Sequence, residues 1–161
     1  MVISYRKIET HDNKEICEYH RMRYVLWPYH EENELYEEMQ KTLNGNTFYK
    51  NELSWTTFVA VRENGKLGGF IEITLYPELE FSDSKPIGYI EGWYVDEDLR
   101  KTGVGRELVN TAIKWIISQE CTEIASDVEE YNLVSQTAHL KLGFREVKKE
   151  NGCIFYKKSV V

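Results

Sequence analysis

Arg100, Gly103 and Gly105 form the clearest chemical pattern in this sequence. They stand as Arg100-x-x-Gly103-x-Gly105, after an apolar stretch and a short acidic turn and directly before an amphipathic segment. A glycine-bearing loop at the start of a helix exposes several backbone N–H groups, and the helix dipole adds partial positive charge there. The pattern therefore predicts a phosphate-binding loop that is made mostly of backbone.

Two well-known phosphate loops do not fit this spacing. The dinucleotide-binding loop needs a third glycine three residues after the second, and position 108 is a leucine. The P-loop needs a Gly-Lys-Ser/Thr ending, which is absent as well. The loop alone leaves the identity of its phosphate ligand open.

Strands and helices alternate in the part of the chain before the loop. Residues Ile16, Tyr19, Met22, Arg23 and Leu26 recur at helical spacing, and Pro28 ends that helix. Asn64-Gly65 is a hairpin signal between two strands. The predicted elements are a strand over 2–8, helices over 13–27 and 31–43, and strands over 56–61, 67–75 and Ile87–Val95.

The part after the loop continues the alternation. A long helix is predicted first, with Val104, Leu108, Ala112 and Ile116 on its apolar face. A strand over 123–128 follows, then a short helix over 132–142 and two strands that flank Asn151-Gly152. Since there is no repeat, linker or low-complexity segment, residues 1–161 are predicted to form one α/β domain.

Composition narrows the class of protein. With 42% hydrophobic residues and no stretch of transmembrane length, the chain reads as neither disordered nor membrane-spanning, and it starts without a signal-peptide pattern. Cys17, Cys121 and Cys153 are widely spaced, which predicts reduced, buried thiols and neither disulfides nor a metal site. The net charge of −7 argues against nucleic acid as a partner and favours a cationic ligand.

Acidic residues are concentrated in three clusters. Each is more simply explained as a solvated surface, but together they would attract a polycation to a nearby site. The clusters are Glu31, Glu32, Glu34, Glu37 and Glu38; Glu78, Glu80 and Asp83; and Glu129 and Glu130.

The glycine loop resembles the R/Q-x-x-G-x-G/A motif of the GCN5-related N-acetyltransferases, which binds the pyrophosphate of acetyl-CoA. Asn132, which opens a predicted helix, and the later Leu142-Gly-Phe144 resemble the second half of that fold. The resemblance implies a mixed, twisted central sheet with helices on both faces. It also implies that Asn132 contacts the coenzyme, although an ordinary helix N-cap role explains that residue equally well. His139 stands where many members carry an acid for the departing thiolate, and we favour a buried structural histidine there.

The chain is most similar to one subgroup, the bacterial aminoglycoside 6'-N-acetyltransferases. The similarity is carried by Leu26-Trp27-Pro28 with His30, by residues 89–95, by Ala125-Ser-Asp127 with Asn132, and by the Phe155-Tyr-Lys ending. It implies that Trp27, His30, Glu91 and Asp127 bind a cationic aminoglycoside. It implies acetyl-CoA contacts from Trp93, Tyr94, Val95, Arg100, Lys101, Thr102, Gly103, Val104, Gly105, Arg106 and Asn132. In the loop before Glu91, no tyrosine aligns with a substrate-contacting tyrosine of the subgroup.

Glu91 and Asp127 are the carboxylates best suited to the chemistry. Acyl transfer to an amine requires a neutral amine, so a nearby carboxylate must hold the ammonium and accept its proton. Desolvation can raise the pKa of such a carboxylate toward neutrality. We expect Asp127 to be the base and Glu91 the ammonium anchor, with Gly92 marking a β-bulge that opens the strand.

Three functions are compatible with these observations. The favoured one is an acetyl-CoA-dependent aminoglycoside acetyltransferase. The second keeps the reaction but uses a polyamine, another small amine or a peptide amine as acceptor. The third is a non-catalytic module that binds acetyl-CoA or sequesters the drug. The composition predicts a cytoplasmic protein, and the resemblance implies a homodimer, with the C-terminal strands as one possible interface.

Overall fold

The computed structural model describes residues 2–45 and 52–161. A single mixed sheet of seven strands forms the centre of this described part, in the order β1-β2-β3-β4-β5-β7-β6. All neighbours are antiparallel except β4 and β5, which are parallel. The strands are β1 (Ser4–Lys7), β2 (Ser54–Val61), β3 (Leu67–Tyr76), β4 (Ile87–Val95), β5 (Glu123–Glu129), β6 (Arg145–Glu150) and β7 (Cys153–Ser159).

Helices cover both faces of this sheet, as the sequence predicts. They are α1 (Asn13–Leu26), α2 (Glu32–Leu43), α3 (Val104–Ser118) and α4 (Leu133–Lys141). Successive side chains of a strand point to opposite faces, and β3 shows the division. Phe70 packs with Tyr19 of α1, whereas Ile71 packs with Leu108 of α3. Two separate apolar layers therefore hold the sheet between the helix pair α1–α2 and helix α3.

The helix ends follow local signals in the sequence. The Asp12 side chain accepts hydrogen bonds from two backbone N–H groups at the start of α1, and the Asn132 side chain does so from the Ser135 N–H at the start of α4. At the other end of α1, Pro28 follows the C-cap Trp27, whose N–H still bonds the Arg23 carbonyl at 3.0 Å. Trp27 therefore leaves the helix at a defined point.

The sheet opens in its middle, between β4 and β5. Their parallel pairing joins only Gly88–Ile90 to Ile124–Ser126, and β4 continues beyond it. On its other side, β4 pairs with β3 through a register shift: Glu72 lies opposite Gly92, and Ile73 lies opposite Ile90. Glu91 is thus the extra residue of a β-bulge. The bulge that Gly92 predicts is confirmed.

The predicted elements are all present, with ends that differ by two residues at most. The prediction of buried thiols is wrong for Cys17, which is exposed because it lies on the outer side of α1; Cys121 is buried, Cys153 is partly buried, and all three are free. Within the described residues, no helix has the length and apolarity that a membrane span requires.

Candidate active site

A cleft of about 130 Å³ lies where β4 and β5 separate. It brings together five of the residues that the sequence singles out: Trp27, Glu91, Trp93, Asp127 and Asn132. The full lining is Leu26, Trp27, Ile90, Glu91, Gly92, Trp93, Ser126, Asp127, Val128, Glu129, Asn132, Ser135 and His139. His30 is not part of this lining. It is exposed, with its ring centroid 6.4 Å from that of Trp27.

Glu91 is the more enclosed of the two carboxyl groups. Thr74 donates a hydrogen bond to Glu91 Oε1 at 2.9 Å, and the Tyr76 hydroxyl lies 3.0 Å from the same atom. The Tyr76 hydroxyl also lies 3.3 Å from Glu52 Oε1, so its single proton is shared between two carboxyl groups. Burial raises the pKa of Glu91 to about 8, with a further rise from Glu52 and an opposing effect from the Thr74 and Tyr76 donors. Glu91 is therefore mostly protonated at neutral pH until a cation approaches it.

Asp127 stands on the outer side of the cleft. The residue is exposed near the end of β5, and its Oδ2 accepts a hydrogen bond from the Tyr89 hydroxyl. Loss of water around the carboxyl group raises the pKa of Asp127, the Tyr89 hydrogen bond opposes that rise, and the charge of Glu129 adds to it. Both carboxyl groups are thus held by tyrosines, but only Glu91 lies inside the sheet.

The two tyrosines and Thr74 were missed by the sequence analysis. Thr74 and Tyr76 are two residues apart and so share one face of β3, and Tyr89 stands two residues before Glu91 on β4. That alternation was a usable signal. Tyr76, at the end of β3, begins the segment in which no tyrosine aligns with the subgroup's substrate-contacting tyrosine, and its hydroxyl reaches Glu91.

The glycine loop has the geometry of an anion site. Gly103 adopts a left-handed conformation with φ 96° and precedes α3, whose first turn no side chain of the described residues caps. The Glu107 N–H closes the first helical turn onto the Gly103 carbonyl at 3.0 Å, so the N–H groups of residues 104–106 lie at the open helix end. A Cβ on Gly105 would lie 3.3 Å from the Trp93 ring. These features fit a phosphate group held by backbone.

Side chains contribute less to this loop than the sequence suggests. Arg100 turns back, donating from Nε to the Val95 carbonyl at 2.9 Å and lying 5.7 Å from the centre of the Tyr94 ring. Val104 is buried in the core, while Lys101, Thr102 and Arg106 are exposed. The loop therefore offers a ligand mainly its backbone.

Trp93, Tyr94 and Val95 differ in what they present to the opening. Tyr94 points away from it, stacked on Phe70 with ring centroids 6.1 Å apart. Val95 packs against the core on the α3 side. The Trp93 indole N–H is buried and has no hydrogen-bond partner among the described residues. Tyr94 and Val95 can therefore meet a ligand through backbone groups at the opening, whereas Trp93 lines the cleft itself.

His139 is buried beneath the cleft, as expected for a structural histidine. Its Nδ1 lies 2.7 Å from the Ser135 carbonyl, which can only accept, so Nδ1 carries the proton. Its Nε2 then accepts from the Ser126 hydroxyl at 2.8 Å. Burial lowers the pKa of His139, which keeps the ring neutral at neutral pH. In this arrangement the ring has no proton facing the cleft.

Most charged side chains outside the cleft are paired with an opposite charge or exposed to solvent. A larger open hollow of about 440 Å³ lies beside α1, and its arginines are paired: Arg21 with Asp96 at 3.1 Å and Arg62 with Asp96 at 3.0 Å. Of the three acidic clusters, Glu129 is the member that lines the cleft. No group of three or more His, Cys, Asp or Glu residues in the described part of the chain is arranged to hold a metal ion.

A family model, curated relatives and solved structures all indicate the same family. The family model described as "Acetyltransferase (GNAT) family" matches residues 16–144. Aminoglycoside N(6')-acetyltransferase type 1 of Klebsiella aerogenes is 36% identical over 142 residues, covering 88% of this chain and 89% of that protein. The solved structure of aminoglycoside 6'-N-acetyltransferase AAC(6')-IG from Acinetobacter haemolyticus is 26% identical, with a TM-score of 0.76 and coverage of 93% and 94%.

A further solved structure supports the fold alone. AAC(6')-Iy, in complex with the bisubstrate analogue CoA-S-monomethyl-acetylneamine, is 24% identical and superposes with a TM-score of 0.78, covering 93% of this chain and 95% of that one.

Proposed function

The chain belongs to the acetyltransferase (GNAT) family, and from that premise we propose that it transfers acetyl from acetyl-CoA to an amine of an aminoglycoside antibiotic, which confers resistance. The similarity to Aminoglycoside N(6')-acetyltransferase type 1 of Klebsiella aerogenes supports the acceptor class and the 6' amine. One observation carries the proposal on the structural side: the half-buried carboxyl group of Glu91 stands at the point where the sheet splits.

Acetyl-CoA is proposed to lie along the split. The backbone N–H groups of residues 104–106 would hold its pyrophosphate at the α3 start, with Arg100, Lys101, Thr102 and Gly103 forming the loop. The edge of β4 from Trp93 to Val95, which β5 leaves unpaired, would hydrogen-bond the pantetheine arm as an added strand does. Asn132 caps α4 and lines the cleft, where it would face the same arm.

The acceptor is proposed to occupy the other side of the cleft. Trp27 offers a flat wall for a sugar ring, with His30 at its outer edge. Asp127 and Glu129 line the rim and would hold ammonium groups of a polycation.

Glu91 is proposed as the proton acceptor, which reverses the roles expected from sequence. A base is most effective when its pKa lies near the operating pH, and burial raises the pKa of Glu91 to about 8. Asp127 is the more accessible of the two residues and is held by Tyr89, which suits an ammonium anchor better. An approaching ammonium favours ionisation of Glu91, which then takes one of its protons.

The remaining chemistry is a direct transfer. The neutral amine nitrogen forms a bond to the thioester carbonyl carbon while a β4 backbone N–H at the bulge stabilises the carbonyl oxygen. The C–S bond then breaks, the nitrogen loses a second proton, and the coenzyme leaves as thiolate that is protonated to free thiol. The products are an amide, coenzyme A and one released proton.

Release of free thiol from acetyl-CoA by the purified protein tests the proposal. Kanamycin and tobramycin are compared with spermidine and a peptide amine as acceptors. Rapid turnover with the aminoglycosides alone supports the proposal. Turnover only with another amine would replace the acceptor. Coenzyme binding without turnover on any acceptor would contradict catalysis and leave a binding module.

A cytoplasmic homodimer completes the proposal. Three free cysteines suit a reducing compartment. The C-terminal strands are less suited to the interface than the sequence suggests, since β7 lies inside the sheet and the edge strand β6 is highly charged. Light scattering of the purified protein would give the oligomeric state, and a monomer at all concentrations would contradict the dimer.

A further inference from the structure

A buried arginine lies behind the aromatic wall of the cleft. Arg23 of α1 is only 1% exposed, and its Nε donates to Oε1 of the fully buried Glu72 on β3 at 2.7 Å. Its terminal nitrogens donate to the Leu35 carbonyl at 2.8 Å and to Glu38 at 3.4 Å, both on α2. One guanidinium group therefore joins α1, α2 and the central sheet.

This ion pair is in contact with the cleft in two places. The Arg23 guanidinium lies 4.8 Å from the centre of the Trp27 ring, within cation–π range. Glu72 lies opposite Gly92 at the β4 bulge, and a Cβ on Gly92 would fall 3.1 Å from Glu72 Oε2 and 2.8 Å from the edge of the Trp27 ring. Trp27 and Glu72 thus both lie against Gly92, in the bulge that carries Glu91.

Stability alone does not explain such a pair. Taking two charges out of water is costly, and well-packed apolar residues of similar volume often serve stability as well or better. A planar guanidinium offers something that apolar residues lack, because it stacks on an indole while its N–H groups hold fixed partners. The arrangement suits a group that sets the position of its neighbours.

We propose that Arg23, acting through Glu72 and Trp27, is a positioning residue that fixes the distance between the aromatic wall and the bulge carrying Glu91. It touches neither the acetyl group nor the amine. The inference rests on the proposed function, in which Trp27 and Glu91 contact the acceptor. Its specific consequence is that loss of Arg23 weakens acceptor binding without weakening acetyl-CoA binding.

The decisive variant replaces both charges at once. A single substitution that removes one charge of the pair leaves the other buried without a partner and endangers folding. Arg23→Met/Glu72→Met removes both charges and avoids this problem. Few groups lose all of their partners in the double variant. The Tyr19 hydroxyl keeps its hydrogen bond with Thr57 Oγ1 at 3.1 Å. The Leu35 carbonyl lies inside helix α2, and the Glu38 side chain is partly exposed to water. Arg23→Lys is the second variant, since it keeps the charge and loses the planar stack. Arg21→Met/Glu18→Gln, an ion pair on the outer side of α1, is the matched control.

Steady-state thiol release gives the Michaelis constants of the two substrates separately. We expect Arg23→Met/Glu72→Met and Arg23→Lys to raise the aminoglycoside KM about tenfold with an unchanged acetyl-CoA KM, because the acceptor wall is displaced. The control pair should behave as wild type. A folded double variant or a folded Arg23→Lys with the wild-type acceptor KM would overturn the proposal, as would equal changes in both KM values.

The Trp27 indole N–H resonance provides a readout that does not depend on activity. It is assigned with Trp27→Phe, and we expect it to shift or broaden in both Arg23 variants and to stay in place in the control. Absence of aminoglycoside turnover by the wild type would overturn the proposed function instead, and an unmoved resonance would still overturn the positioning role.

Discussion

The two sides of the cleft are built from different parts of the polypeptide. On what we term the coenzyme side, residues 93–95 and 100–106 present backbone N–H and C=O groups, and several of their side chains point elsewhere. On the acceptor side, the chemistry lies in side chains: Trp27, Glu91 and Asp127, with the tyrosines that hold the two carboxyl groups. Backbone recognition tolerates many side chains, whereas the acceptor side depends on each residue.

The difference separates two kinds of selectivity. Backbone N–H groups at the start of a helix can bind any pyrophosphate that reaches them, whatever the neighbouring side chains are. The coenzyme side therefore suits a ligand that does not vary, such as acetyl-CoA. Carboxyl groups from two strands, set against an aromatic wall, suit a cation of particular shape. Substitutions on one side should therefore change the kinetics of one substrate and spare those of the other.

The largest expected effect comes from the two carboxyl groups of the acceptor side. Glu91→Gln should lower kcat by about 10³, the range for loss of a general base, and Asp127→Asn by about tenfold. Both should bind acetyl-CoA as wild type does, which isothermal titration calorimetry measures. A larger loss in Asp127→Asn than in Glu91→Gln would restore the roles expected from sequence.

A branched side chain in the glycine loop should damage the coenzyme side alone. Gly105→Val adds atoms that meet the Trp93 ring and block the approach of a phosphate to the α3 start, so the acetyl-CoA KM should rise on the order of 100-fold. Gly105→Ala is the matched control and should stay within about threefold of wild type, because the Trp93 ring needs to move only slightly. An equal rise in the acceptor KM would show that the two sides are not separable.

A glycine-to-alanine substitution on the acceptor side should change the KM of the aminoglycoside and spare that of acetyl-CoA. Gly92→Ala places a methyl group 2.8 Å from the Trp27 ring edge, so the ring must move. We expect the aminoglycoside KM to rise about tenfold, with little change for acetyl-CoA. Gly105→Ala is again the comparison, and identical kinetic changes in the two alanine variants would contradict the division.

The last expected effect concerns stability and not kinetics. Burial raises the pKa of Glu91 in the folded protein from an ordinary value of 4.5 to about 8. Its favourable contribution to stability is therefore complete below pH 4.5 and is lost as the pH rises through 8. Glu91→Gln carries no such charge. Its melting temperature relative to wild type should therefore rise by roughly 10 °C between pH 5 and pH 9, because the raised pKa of Glu91 corresponds to about 4 kcal/mol over that range. A difference in melting temperature between Glu91→Gln and wild type that does not change with pH would contradict a raised pKa of Glu91.

The sequence predicts the coenzyme side better because its signals are local. The glycine spacing and the start of α3 lie within a few residues, and Gly92 alone predicts the bulge that opens β4. The order of strands and helices also follows from local periodicity and turn residues. Each of these depends on neighbours in the chain.

The acceptor side depends on contacts between distant segments. Arg23 and Glu72 are 49 positions apart, and nothing at either residue indicates the other. Tyr76 reaches Glu91 because of the register of β3 and β4, which shifts at the bulge and cannot be read from either strand alone. Period-2 alternation places Tyr89 beside Glu91, but its bond to Asp127 requires the pairing of β4 with β5.

The pH dependence of kcat/KM for one aminoglycoside, measured in parallel for wild type and Glu52→Gln, tests the central claim most directly. Groups that face Glu91 are Thr74, Tyr76 and Glu52, with Tyr89 and Asp127 farther along the cleft. If Glu91 accepts the proton, wild-type kcat/KM rises with pH through a midpoint near 8. Glu52→Gln removes a charge that raises the pKa of Glu91, so the midpoint of the kcat/KM profile should move to lower pH in this variant. Because both enzymes are measured with the same substrate, such a shift reports a group of the protein and not the amine of the substrate. Two superimposed profiles, or a wild-type midpoint near an ordinary carboxyl pKa of about 4, would contradict the account.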